Sequence, residues 1–207
     1  MIGIVDYGMG NLKSVRKAVE RLNVPCEYVT QPEQVRAADR IILPGVGAFE
    51  DAIAALRKNH LDEAILEKIH AGVPFLGICL GMHMLFDRSF ENGEFAGLGV
   101  FHGDVRKFDF QGIVTSGKLS VPHMGWNQIS LEQPEHPFWK GMTPGTFFYF
   151  VHSYHVVPRD ASILACQTDY GYPFCSAVTK DNVVATQFHP EKSQDNGRVL
   201  LENFLKM

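Results

Sequence analysis

Three observations predict an α/β fold, a doubly wound and mostly parallel sheet forming one domain over residues 1–207 of the 207-residue chain. Short apolar runs alternate with stretches whose apolar residues recur at helical spacing. Three or four such βα units follow one another, and serial βα units build parallel sheets with right-handed crossovers. From about Val100 the texture changes to short β-like runs punctuated by glycine and proline, which predicts antiparallel additions in the second half.

Ile2 to Val5 reads as a buried parallel strand, and Asn11 as the N-cap of a helix carrying Leu12, Val15, Val19 and Leu22 on one face. Cys26 to Val29 is a second strand. Ile41 to Leu43 is a third, ended by Pro44-Gly45-Val46-Gly47-Ala48, after which Phe49, Ile53 and Leu56 resume a helical pattern that Leu61, Ile65 and Ile69 extend to the Gly72-Val73-Pro74 break. Phe75 to Ile78 forms the next strand and runs into Cys79. Later strand candidates are Val100 to Phe108, Lys118 to Val121, Thr146 to Val151, Ile163 to Thr168 and Val183 to Phe188. A closing helix over Arg198 to Lys206 presents Leu200, Leu201, Phe204 and Leu205 on one face. No repeat, low-complexity segment or linker interrupts the chain, and the ligand site is expected at the carboxyl ends of the parallel strands.

A content of 45% hydrophobic residues suffices for a full core. The formal net charge of -4 and the lack of a basic block argue against nucleic acid or an anionic membrane as partner. No run approaches membrane-spanning length, and Met1 to Asp6 is too short and too soon interrupted for a signal peptide. Cysteines 26, 79, 166 and 175 form no Cys-x-x-Cys pair and are too sparse for a disulfide scaffold, so a cytoplasmic protein is expected. Packing accounts for Cys26, Cys166 and Cys175.

Cys79 differs because Gly77-Ile78-Cys79-Leu80-Gly81 places a thiol on a sharp strand-to-helix turn flanked by glycines, where larger neighbours would crowd the backbone. A helix starting near Leu80 would favour a thiolate and offer amides to a developing oxyanion. A buried, inert cysteine is the alternative, and a distant base must decide between them.

Among nine histidines, His60, His70, His102 and His136 sit in no pattern, and His152 and His155 lie in an aromatic run that reads as core. His189-Pro190-Glu191 ends a strand, and its proline fixes a turn in which a carboxylate can orient an imidazole. A base with its orienter and a plain solvated turn both fit that spacing. No histidine pair has the common helix-face spacing of a zinc site, so no metal or other cofactor is expected.

Taken together, Gly77-Ile78-Cys79-Leu80-Gly81, Pro44-Gly45-Val46-Gly47 and His189-Pro190-Glu191 resemble the class I, triad-type glutamine amidotransferases in order and separation. More narrowly, Asp6 to Leu12, Pro122-His123-Met124-Gly125-Trp126-Asn127 and Tyr149 to Tyr154 look like the glutaminase subunits of imidazole glycerol phosphate synthases. The resemblance implies hydrolysis of L-glutamine to glutamate and ammonia through a Cys79 thioester, with His189 carrying the proton and Glu191 orienting it. It also implies a heterodimer with a (β/α)8-barrel cyclase subunit, which would use the ammonia to form imidazole glycerol phosphate and aminoimidazole carboxamide ribotide in histidine biosynthesis.

Residue by residue, it implies an oxyanion hole from Val46, Gly47 and Leu80, and glutamine contacts from Gly45, His83, Glu91 and the Ser153-Tyr154 backbone. The partner contact falls to Pro122, Met124, Trp126, Tyr149 and Lys192. Two of these have plainer readings: Pro122 to Trp126 as a tight turn on the core, and Glu91 as one acid of a solvated loop. His83 departs from the family, whose members frequently carry glutamine there, and an imidazole so placed could compete with His189 for the Cys79 thiolate. Two further readings are a paralogue supplying ammonia for sugar amidination and a stand-alone cysteine hydrolase.

Overall fold

Four apolar runs of the first half pair side by side, as buried parallel strands do when helices cover both faces. The computed structural model describes residues 1–113 and 119–207. Strands β1 (Ile2–Val5), β2 (Cys26–Val29), β3 (Arg40–Gly45) and β4 (Phe75–Cys79) are joined by α1 (Leu12–Glu20), α2 (Pro32–Ala37) and the consecutive α3 (Phe49–Lys58) and α4 (Leu61–His70). Helix α5 (Leu80–Met84) leaves β4 directly.

The second half contributes β5 (Phe86–Ser89), β6 (Phe95–Ala96), β7 (Phe101–Lys107), β8 (His123–Gln128), β9 (Ser130–Leu131) and β10 (Phe147–His152). It continues through β11 (Tyr154–Pro158), β12 (Leu164–Asp169), β13 (Pro173–Lys180), β14 (Val183–Thr186) and α6 (Gln194–Phe204).

The main sheet runs β2-β1-β3-β4-β14-β13-β11-β7-β5-β6, with β12 on β13 and β9 on β12. From β2 to β14 every pairing is parallel; from β14 through β13 and β11 to β7 the pairings are antiparallel, β7 and β5 pair parallel again, and β8 and β10 form a separate antiparallel ribbon. Alternate residues of each strand face opposite layers. On one side Leu43 and Phe75 pack with Phe49, Ile53, Leu56, Leu61 and Ile65 of α3 and α4. On the other, Ile4, Ile42 and Leu76 pack with Val15 and Val19 of α1 and Leu200, Leu201 and Phe204 of α6. The doubly wound α/β architecture is therefore the one expected.

Several local expectations need correction. Asn11 holds the N-cap position of α1, but its side chain makes no capping hydrogen bond; its carbonyl accepts from Ser14 and Val15 instead. Strand β3 continues through Pro44 and Gly45, since its pairing with β4 runs on to Gly45 opposite Cys79. The helical pattern after Phe49 is two helices, because His60 takes a left-handed φ of 53°. The plainer reading of Pro122 to Trp126 as a tight turn does not hold: His123 onward is β8. Lys118 lies outside the described residues, and Leu119 to Val121 form no strand. The parallel pairings place the carboxyl ends of β3, β4 and β14 side by side.

Candidate functional site

Cys79 is the last residue of β4 and adopts φ 54° and ψ -109°. A non-glycine residue at positive φ costs on the order of 1–3 kcal/mol and persists only where surrounding packing fixes it. Here the packing is visible: a Cβ on Gly81 would lie 1.9 Å from the Leu43 carbonyl oxygen, and one on Gly45 2.8 Å from the Leu80 Cβ. The flanking glycines thus let α5 lie against β3, and that contact turns the thiol out of the sheet. The amide of Leu80, the residue after the nucleophile and first in α5, has no partner within its helix.

His189 follows β14, the neighbour of β4. Its backbone N–H donates to Tyr149 O at 2.9 Å, and its carbonyl accepts from the Ser193 hydroxyl at 2.6 Å, which itself accepts from Tyr149 N at 3.0 Å. Nδ1 of His189 is 2.8 Å from Glu191 Oε1, with side chains only 2% and 1% exposed. Burial would lower the imidazole pKa, but a Cys79 thiolate on one side and Glu191 on the other raise it above 6.5 overall. Nε2 is buried and, among the described residues, has no hydrogen-bond partner other than what Cys79 can offer. The solvated-turn alternative for His189 and Glu191 does not survive this burial.

A cleft of about 350 Å³ opens onto Cys79. Val46, Gly47 and Leu80 line it, as do Glu91, Ser153 and Tyr154. Glu91 is no solvated acid: its Oε2 accepts from Phe49 N, the first amide of α3, at 3.0 Å, and partial burial raises its pKa. Ser153 O accepts from Phe108 N, and Tyr154 O from His152 Nδ1 at 2.8 Å. Gly45 is not among the lining residues; it is buried in β3, where its missing side chain admits Leu80.

His83 does reach the cleft wall, yet it does not touch the sulfur. Its Nε2 is 2.8 Å from Gln187 Oε1, and Gln187 Nε2 in turn is 3.7 Å from Cys79 Sγ. Burial lowers the His83 pKa from 6.5 to about 4, so near pH 7 the ring is neutral and carries no charge to compete with His189 for the Cys79 thiolate. Gln187, in a stretch whose sequence predicts only a strand, is fully buried and bridges the two.

The expected partner-contact residues cluster beside this site. Met124 is 63% and Trp126 45% exposed on β8, while Pro122 lines the cleft. The Trp126 and Tyr149 rings meet edge-on at 6.2 Å, Lys192 Nζ lies 5.7 Å over Tyr149, and Tyr149 lies 6.5 Å from the His189 ring. An exposed aromatic patch therefore connects directly to the base. Among the described residues no group of three or more His, Cys, Asp or Glu could hold a metal ion.

Residues 3–207 match the family described as glutamine amidotransferase class-I. The chain is 51% identical to the imidazole glycerol phosphate synthase subunit HisH of Rhodopirellula baltica, covering 99% of this chain and 96% of that one. It is 49% identical to the HisH subunit of Syntrophotalea carbinolica, covering 99% and 98%. Among solved structures, PurLQS from Thermotoga maritima superposes with a TM-score of 0.76 at 19% identity, over 99% of this chain and 97% of that one. A structure described as a glutamine amidotransferase gives 0.71 at 19% identity, over 99% and 97%.

Proposed function

We propose, for a chain that belongs to the class-I glutamine amidotransferase family, that Cys79, His189 and Glu191 perform the glutaminase step of an imidazole glycerol phosphate synthase. The chain is the glutaminase subunit of that enzyme in histidine biosynthesis. The observation that carries the residue assignment is the imidazole of His189, clamped by a buried carboxylate at 2.8 Å and raised in pKa by the thiolate it faces.

The Cys79 thiolate attacks the side-chain amide carbon of L-glutamine, forming a C–S bond and an oxyanion. The Leu80 amide and an amide of the Val46-Gly47 loop hydrogen-bond that oxyanion. As the C–N bond breaks, His189 Nε2–H gives its proton to the departing nitrogen, and ammonia leaves. Water then attacks the thioester and passes a proton to His189; the C–S bond breaks, glutamate leaves, and the thiolate and imidazolium are restored. Glu191 holds His189 in the tautomer with Nδ1–H and stabilises its cation. Glu91 and the Ser153-Tyr154 backbone meet the amino-acid end of glutamine across the cleft.

The exposed Met124 and Trp126, with Tyr149, Lys192 and Pro122, take the (β/α)8-barrel cyclase as partner, and the ammonia passes to it. Gly47 already holds φ 99°, and reorientation of the Val46-Gly47 backbone when the partner carries its own ligand completes the oxyanion hole. Among the described residues no helix is long and apolar enough to cross a membrane. All four cysteines are free, which fits a cytoplasmic enzyme.

Glutamine hydrolysis measured for the chain alone and with the barrel subunit and its ligand tests the reading; stimulation in the loaded complex is expected, and equal rates would count against it. Rescue of a histidine auxotroph separates this assignment from a sugar-amidination paralogue, which would fail to restore growth.

A further inference from the structure

The triad leaves one polar contact of the nucleophile unused. Gln187 follows β14 with its backbone N–H donating to Ser176 O at 2.9 Å, and its side chain and that of His189 both approach the Cys79 sulfur from this one segment. The Cys79 sulfur is thus flanked by two groups from one segment: an imidazole and, at 3.7 Å, the Nε2 of a fully buried amide.

A carboxamide has a donor end and an acceptor end, and only one orientation suits a thiolate. With Nε2 toward sulfur, an N–H meets the negative charge; turned over, the Oε1 lone pairs would face it. The amide cannot choose by exchange with water, because Gln187 is buried. The choice falls to its other contact, His83 Nε2 at 2.8 Å from Oε1. A neutral imidazole with its proton on Nε2 donates to Oε1 and holds the amide with its donor toward sulfur.

We propose that Gln187 is the hydrogen-bond donor that stabilises ionised Cys79, and that His83 is the positioning residue that keeps this donor aimed. The inference rests on the assignment of Cys79 as glutaminase nucleophile and adds to it a second support for the thiolate, independent of His189. It also gives the departure at His83 a purpose: the ring reaches the sulfur only through the amide of Gln187. The other titratable neighbour of the sulfur, Tyr7, donates its hydroxyl to Pro44 O at 3.0 Å, and burial followed by the Cys79 charge raises its pKa, so it stays neutral across the working range.

The test is the pH profile of iodoacetamide alkylation at Cys79, followed on its peptide in the full chain, alongside glutamine turnover with the partner subunit. Gln187→Leu, which keeps the bulk and removes the donor, is expected to slow alkylation about tenfold at pH 7 while leaving the high-pH plateau unchanged, the size of one lost charge-assisted hydrogen bond. His83→Phe should slow it in the same direction by about threefold, and the double variant should lose no more than Gln187→Leu alone, because both changes act through one contact.

Gln187→Glu supplies a second reading should the leucine variant not fold, with a carboxylate facing the sulfur and a loss greater than tenfold. Alkylation at pH 7 within twofold of the parent in either Gln187 variant overturns the proposal, provided the parent complex hydrolyses glutamine and Cys79→Ser does not. If the parent fails that condition, the glutaminase assignment falls instead.

Discussion

Replacing Gly81 by alanine probes how the strand-to-helix turn at Cys79, the nucleophile elbow, is held without touching any reacting group. A Cβ there would sit 1.9 Å from the Leu43 carbonyl oxygen and 3.0 Å from its carbon, and ordinary contact begins near 3.4 Å, so α5 must withdraw by about 1.5 Å from β3. Leu43 has little room to yield, because it pairs with Gly77 of β4 and the preceding Ile42 is pinned between β1 and β4. Overpacking of this kind costs about 1–3 kcal/mol of stability. Because α5 carries the Leu80 amide and begins at Cys79, the same withdrawal displaces nucleophile and oxyanion donor together. A misplacement of about 1 Å costs roughly 100-fold in rate, so glutamine turnover in the complex should fall by at least that factor with the thermal midpoint lowered by several degrees. Gly72→Ala, where nothing lies within 4 Å, should strain its own turn and leave turnover unchanged. Turnover of Gly81→Ala within twofold of the parent would refute the idea that α5 packing sets the elbow.

Glu191→Gln removes the charge behind His189 and should reduce kcat by about 10³–10⁴ with little change in KM for glutamine, as steady-state kinetics in the complex will show. Trp126→Ala, at a position 45% exposed, should weaken partner association by about 2 kcal/mol, or roughly 30-fold in Kd by titration calorimetry, without altering the unfolding of the chain alone. Acid should destabilise the fold through its buried histidines: burial lowers His83 and His123 from 6.5 to about 4, and His152 and His155 are lowered as well. The unfolded chain therefore takes up protons first, so their contribution is full above pH 6.5 and is lost as pH falls toward 4. Thermal midpoints should drop across that window, less steeply in His123→Phe, and a flat profile would contradict the assignment.

Much of this site was legible because its parts are local. Gly77 to Gly81 encodes the elbow in five residues, and Pro190 fixes His189 against Glu191 within one turn. What escaped depends on residues distant in sequence. The Gln187 contact is invisible in an apolar strand run, since it exists only because β14 lies beside β4, and His83 could not be assigned a partner 104 positions away. Helix α2 is six residues long and too short to establish a periodic signal. Strand β8 reads as a turn because Pro122 and Gly125 punctuate it, yet pairing with β10 overrides that composition. His152 and His155 were expected to pack as core, and both are buried among aromatic rings, although His152 also reaches the cleft wall through the fold of β10 onto β11.

In this mechanism Cys79 is the sulfur that takes the glutamyl group. Treating the loaded complex with an electrophilic glutamine analogue and mapping the adduct tests it most directly. One label on Cys79, formed in step with loss of glutaminase activity, blocked by glutamine and absent in Cys79→Ser, is the predicted result. A complex that hydrolyses glutamine while the label lands on Cys26, Cys166 or Cys175, or on no cysteine at all, would contradict the account.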